Sequence, residues 1–331
     1  MPAIFDHFVG HYKLSPHDAW RRAFFVPFAI IVGTAILMVV LCPDTPVGKW
    51  SERHEAVEAN LRVIHEQGRH VPQSSVVYGE STGASPADST EKVDKLAITK
   101  DVEFGKGEVT EIDAEYAHEV IEKPSAKEIF KVFISPQTVA LMACYFNSFG
   151  SELAINSVLG AYYLKNFPKL GQTSSGRWAA MFGLLNVYGR PLGGIISDII
   201  YKYTKGNLWA KKIWIHFLGV TMGVFMLAIG LANSHNQHTM IGLVAGLAFF
   251  MDASNGANFA LVPHVHPQAN GIVSGFVGAV GNFGGVIGAI IFRYNVTNYG
   301  KSIWILGVIA IVMNLSVAWI RPIPKGQIGG R

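Results

Sequence analysis

The stretch GIVSGFVGAVGNFGGVIGAIIF, Gly271 to Phe292, is an apolar run of membrane-spanning length with seven glycines and one asparagine, Asn282. Glycine weakens a helix in water, but in lipid it lets two helices approach closely. Gly278, Gly281, Gly285 and Gly288 recur at helical spacing and leave one helix face almost bare. Asn282 lies on or beside that face, one turn from Gly278. Two readings stay open. One is close helix packing with Asn282 as an interhelical hydrogen-bonding group. The other is a backbone groove, with one amide in it, for a small polar solute.

The rest of the chain has the same character. Half of its 331 residues are hydrophobic, and the mean hydropathy of +0.30 is too high for a soluble protein of this size. Apolar runs of about 20 residues are transmembrane candidates. Seven are expected, near Phe24–Leu41, Thr138–Tyr163, Trp178–Ile200, Ile213–Ala232, Met240–Val262, Gly271–Phe292 and Ser302–Ile320. The chain therefore reads as an all-α polytopic membrane protein. Its two cysteines, Cys42 and Cys144, imply no disulfide framework, and no cleavable signal peptide is visible in MPAIFDHFVG.

The net charge of +4 conceals a segregation: 18 of the 23 acids, but only 10 of the 27 Lys and Arg, fall between Asp44 and Glu128. The membrane portion is thus strongly cationic, which favours an anion as solute and anionic lipid as neighbour. Ordinary positive-inside anchoring also accounts for Lys202, Lys205, Lys211, Lys212, Arg321 and Lys325, but not for a charge deep inside a span.

Residues 1–42 are expected to be an exterior lead-in and a first span. Residues 43–131 form a long acidic cytoplasmic loop, with a surface helix starting at Trp50 and a largely disordered remainder from His70 onward. Ser85-Pro86 could be phosphorylated there. Residues 132–322 hold six spans and 323–331 a cytoplasmic tail. Four lysines between the third and fourth spans put that loop, and by alternation the C-terminus, in the cytoplasm. Lys169 and Arg177 conflict mildly with this. The sequon Asn295-Val296-Thr297 lies so close to two spans that glycosylation is not expected.

Arg190 stands near the middle of its span, where an arginine costs about 2.5–3.5 kcal/mol on insertion scales. Its planar fork suits a planar oxyanion; pairing with Glu152 or Asp252 from another helix, or snorkelling, is the alternative. Tyr145, Phe149, Glu152 and Asn156 form one helical stripe that could flank a flat solute, or simply pack. Glu152, a carboxyl within a span, is a protonation candidate. Asp252, Asn255 and Phe259 form a second stripe, with Asn258 beside it, that could relay a proton, cap broken helix ends near Gly256 or hold helices together. His264 and His266 lack companion metal ligands, and His216 reads as interfacial. No metal, cofactor or nucleic-acid partner is expected, and no arrangement of enzymatic groups stands out.

Four motifs, GRPLGGIISD, NFGSELAINSVLGAYY, DASNGANFALVPHVHP and above all GAVGNFGGVIG, resemble the nitrate/nitrite porter family of the major facilitator superfamily. The acidic insert and CPDTPVGKW look like its fungal proton-coupled branch. The resemblance implies a major facilitator fold, here about seven helices: the last of an N-terminal half and the six of a C-terminal half. It implies that Arg190, Tyr145, Phe149, Asn282 and Gly281 contact nitrate or nitrite, and that Glu152 or Asp252 couples protons. It implies a multi-pass plasma-membrane symporter for nitrate assimilation, with nitrate or nitrite, protons, lipid and the first five spans as partners. MPAIFDHFV is similar to sequence at the outer end of span five, so Met1 looks like an internal methionine. A different class of reading is a non-transporting or regulatory membrane protein acting through its cytoplasmic loop.

Overall fold

In hydrocarbon a chain segment must satisfy its own backbone amides, and for long apolar runs a helix does so. The structure, a computed structural model, describes residues 1–42 and 126–324, and every one of the seven expected spans is a helix in it. The surface helix expected from Trp50, the segment from His70, Ser85-Pro86, and Lys325 and Arg331 lie outside the described residues.

The helices are α1 (Pro2–Gly10), α2 (Pro16–Ala23), α3 (Phe25–Leu41), α4 (Ala126–Ile134), α5 (Pro136–Asn166), α6 (Gly171–Tyr203), α7 (Leu208–Ala232), α8 (Gln237–Val265), α9 (Asn270–Tyr294) and α10 (Tyr299–Ser316). Their starts follow local chemistry. Asn207, Asn236 and Asn298 each accept a backbone N–H of the helix that follows, and Pro136 occupies the first turn of α5, where a missing N–H does no harm. Among the described residues, five segments are long and apolar enough to cross a membrane: Pro16–Leu41 and α7 to α10. Helices α5 and α6, with 31 and 33 residues, are long enough to span, but polar side chains such as Glu152, Asn186 and Arg190 lower their hydropathy.

Among the described residues, 1–28 and 126–324 form one compact unit, and 29–42 belong to a second. Of the second, the described residues continue α3 to Leu41. In the first, α1 rests on α6: Pro2 covers Gly176, and Thr173 donates a hydrogen bond to Asp6. Three tight helix pairs, α5 with α9, α6 with α8 and α7 with α10, form its body, joined chiefly by α7 against α8. Between them lies a core that includes Ile155, Leu159, Phe182, Met222, Met226 and Met251, all buried.

The glycines explain the pairing. A Cβ on Gly150 would lie 2.7 Å from the Cα of Gly284, so α5 and α9 touch backbone to backbone. At the crossing of α6 and α8 there is even less room, since a Cβ on Gly193 or Gly256 would overlap the carbonyl of Ala253 or Arg190 respectively. Of the expected bare face of α9, Gly281, Gly285 and Gly288 are buried against Tyr145, Leu153 and Ala154 of α5; only Gly278 has no such neighbour within 4 Å. Close packing thus fills most of the face that could have been a groove.

Two further expectations are corrected. Helix α8 runs unbroken through Gly256, so the nearby polar residues cap no helix break. The last helix ends at Ser316 rather than Ile320, because the chain turns there and presents the carbonyls of Val317, Ala318 and Ile320 to Lys212. The sequon is held as well: the Asn295 amide donates to the Ile291 carbonyl, and the Lys165 ammonium binds the carbonyls of Val296 and Thr297.

Candidate functional site

Three helices deliver one polar cluster. Glu152, on α5, points at α6 and α8. Its Oε2 accepts from Arg190 Nη2 at 2.9 Å and from Asn255 Nδ2 at 2.6 Å, and its Oε1 from Asn186 Nδ2 at 2.7 Å. The glycine contacts between α6 and α8 set this geometry, bringing Asn186 and Arg190 on one helix level with Asn255 on the other. A carboxylate with three donors, one of them charged, is well satisfied despite its burial.

Arg190 is less fully engaged. Nη2 donates to Glu152 and the guanidinium also meets the Tyr145 hydroxyl, while Nε is buried with no acceptor. The guanidinium carbon lies 5.2 Å from the centroid of the Phe149 ring, a cation–π contact. Phe149 in turn stacks on Tyr145 at 5.0 Å with 12° between the rings, and Phe259 meets Tyr145 edge-on at 5.0 Å. The side chain of Arg190 keeps 34% of its surface exposed, against 10% for Glu152. The cluster is therefore a partly open cation backed by two stacked rings, with its counter-ion on the closed side.

Asp252 lies one turn of α8 from Asn255 and is fully buried, packed on Gly189 of α6, and both of its carboxyl oxygens lack a donor. Asn258 donates to the Leu141 carbonyl and so ties α8 to α5. Asn282 does not join the cluster: it is exposed, and its amide donates to the Gly278 carbonyl of its own helix at 2.9 Å. Gly281 touches the cluster only through the rings of Tyr145 and Phe149. The structure thus unites Arg190, Tyr145, Phe149 and Glu152, adds Asn186 and Asn255 around them, sets Asp252 beside them and leaves Asn282 apart. Asn186, in the run LLNVYGR, carried a usable signal, since it lies one turn before Arg190 on the same face.

The lysines at the start of α7 correct the charge reading. Lys211 and Lys212 are only 2% and 4% exposed, so they are not surface anchors. Lys211 turns toward α6 and α8, 2.6 Å from Asp198, 3.2 Å from the Ala260 carbonyl and 3.3 Å from His264 Nε2. Lys212 turns the other way and donates to the three carbonyls at the end of α10. Of the four lysines read as loop charges, only Lys202 and Lys205 are exposed. His216 is half-buried beside Cys144.

Comparison with known proteins gives this geometry a context. The family model described as Major Facilitator Superfamily matches residues 2–289 and 141–330. The chain is 41% identical to Elsinochrome transporter 1 of Elsinoe fawcettii over 92% of its own length and 61% of that protein. It is 33% identical to Nitrate/nitrite transporter NrtP of Nostoc punctiforme, over 58% of the chain and 36% of that protein. It is 26% identical to High-affinity nitrate transporter 2.3 of Oryza sativa, over 97% of the chain and 49% of that protein. The resemblance to nitrate/nitrite porters read from the motifs is borne out, and in each case the chain spans less than two thirds of the relative.

Proposed function

The chain belongs to the Major Facilitator Superfamily, as an all-α, multi-pass membrane protein of a transporter family, and on that premise we propose that it takes part in moving nitrate, and nitrite, across the plasma membrane by proton symport and alternating access. The observation that carries this reading is Arg190. Its guanidinium holds a buried Nε–H without an acceptor and lies over the Phe149 ring. A planar oxyanion satisfies such a fork bidentately, and the Phe149–Tyr145 stack offers a flat wall beside it.

In this reading the transport site lies between two halves of the kind that alternate-access transporters possess. The chain supplies α5 to α10 as one of them, and the C-terminus faces the cytoplasm. Glu152 and Asp252 are the two carboxyl groups within reach of the coupling proton. Asn282 and the open backbone at Gly278 enter only if the solute also contacts α9. No covalent chemistry is asked of any side chain.

The 41% identity to Elsinochrome transporter 1 over most of the chain favours a second reading, in which the solute is elsinochrome. Uptake of isotopically labelled nitrate and movement of elsinochrome, measured in the same cells expressing the chain, separate the two. Nitrate uptake that elsinochrome does not inhibit supports the first reading. Elsinochrome movement without nitrate uptake overturns it.

A further inference from the structure

A second polar site lies at the far end of α5. A cavity of about 250 Å³ opens between the C-terminal ends of α5 and α7 and the start of α10. Lys165, on its wall, stands 13 residues beyond Glu152, about 20 Å along the helix. Neither α6 nor α8 contributes a residue to the walls, so the cavity is separate from the Arg190 cluster.

Helix ends build it. Helix α5 finishes with Lys165 and Asn166, α7 stops at Asn233 in the left-handed conformation (φ 34°), and Asn298 caps α10. Asn233 Oδ1 accepts from the Tyr162 hydroxyl at 3.3 Å and from Asn166 Nδ2 at 3.2 Å, which ties α5 to α7. Lys165 donates to the carbonyls of Val296 and Thr297 at 3.3 and 2.6 Å, and its ammonium lies 5.4 Å from the Tyr299 ring centroid. The cation is thus held in place without a counter-ion: no acid lines the cavity.

What remains is a surplus of donors. An ammonium has three N–H groups and an asparagine amide two. Lys165 uses two of its three, and Asn233 and Asn298 are engaged through Oδ1, which leaves their Nδ2 groups without an acceptor among the described residues. Tyr162 and Gly300 are buried, whereas Lys165, Thr297 and Asn298 are exposed, so a solute can reach these groups. One cation, spare amide donors and no acid suit an anion with several acceptor oxygens. The volume equals about eight waters at roughly 30 Å³ each and falls just below the roughly 300–1,000 Å³ of ordinary small-molecule sites. That exceeds the needs of a bare oxyanion and leaves room for a short hydroxylated tail, which can donate to Asn166 Oδ1.

We propose that this cavity binds a phosphate ester of a short polyol, supplied either as a free solute or as the headgroup of a phospholipid. The proposal is independent of what Arg190 binds. For the lipid source, Leu164 and Leu231, exposed at the ends of α5 and α7, offer the acyl chains an apolar surface beside the headgroup. An occupant held by Lys165, Asn233 and Asn298 joins the ends of α5, α7 and α10, and so stabilises the folded bundle.

The test is thermal unfolding of the purified full chain in two arms. In detergent, glycerol 3-phosphate is titrated at ionic strength matched with chloride. In nanodiscs, phosphatidylcholine is compared with phosphatidylcholine in which about one third of the lipid is replaced by phosphatidylglycerol. A saturable rise in Tm of about 3–5 °C at ten times Kd is expected. A rise with glycerol 3-phosphate identifies a free solute as sufficient, and a rise with phosphatidylglycerol alone identifies the lipid headgroup. Lys165→Gln should abolish the rise, as should Thr297→Phe, which fills the cavity from its exposed side and spares the Lys165 contacts to backbone carbonyls. A lysine that only fastens the loop after α9 would lower Tm without ligand when replaced, yet leave the ligand-dependent rise intact. That result, or no rise in either arm with the wild-type chain, overturns the site. Thr297→Phe decides in the same way where Lys165→Gln fails to fold.

Discussion

Replacing Lys212 by methionine keeps most of the stem in place and removes only the charged head. In the structure that head donates to three carbonyls, at 2.9 Å to Val317, at 3.2 Å to Ala318 and to Ile320, and lies 5.5 Å from the Trp209 ring centroid. Hydrogen bonds to a charged group are worth about 1.5–3 kcal/mol each, but they do not add, because the substitution also removes the cost of burying an ammonium. The three carbonyls are half-buried, so water can reach them in part. A net loss of about 2–4 kcal/mol follows, or an apparent Tm lowered by about 5–15 °C for a unit of this size. Lys211→Met is the internal control. Its acid partner, Asp198, keeps 66% of its side-chain surface exposed and rehydrates when abandoned, so the loss there should be about 1 kcal/mol. The assay is thermal unfolding in detergent in a Cys42→Ala background, which removes the exposed thiol, followed by a thiol-reactive dye at the buried Cys144. Lys212→Met as stable as the wild-type chain, or more stable than Lys211→Met, would refute the claim that Lys212 fastens the end of α10.

Gly193→Val should push α6 away from α8, since even a Cβ overlaps the Ala253 carbonyl, and so draw Arg190 and Asn255 out of register with Glu152. Nitrate affinity should fall at least about tenfold, equivalent to roughly 1.4 kcal/mol, whereas Gly160→Ala, whose nearest neighbour would be Ala179 at 3.9 Å, should leave it unchanged. Asn282→Ala should alter stability by less than about 0.5 kcal/mol, because the amide is exposed and bonds only its own helix. A larger change measured by thermal unfolding would mean that Asn282 holds α9 to another helix.

The seven helices were legible because an apolar run of spanning length has few other fates. The paired stripes were legible too: Tyr145, Phe149 and Glu152 share a face, as do Asp252, Asn255 and Phe259. What a helical period cannot supply is a partner from another helix. Glu152 meets Arg190 across 38 residues and Asn255 across 103, and nothing local encodes either contact. The glycine face of α9 was read as a face, but whether a solute or α5 filled it depended on Gly150 lying opposite. Lys211 and Lys212 were misread because charge near a helix start usually marks the membrane surface. Here Asn207 sets the start of α7 far enough back that both lysines fall inside the bundle and splay to opposite sides.

Nitrate-evoked inward current in oocytes, compared between a transporter containing this chain and the same protein with Arg190→Lys at equal surface abundance, tests the central claim most directly. Lysine keeps the charge but loses the planar fork. The account predicts that the current falls at least about tenfold, equivalent to roughly 1.4 kcal/mol of binding. Undiminished current with lysine at position 190 would contradict it, because the anion would then be held somewhere else.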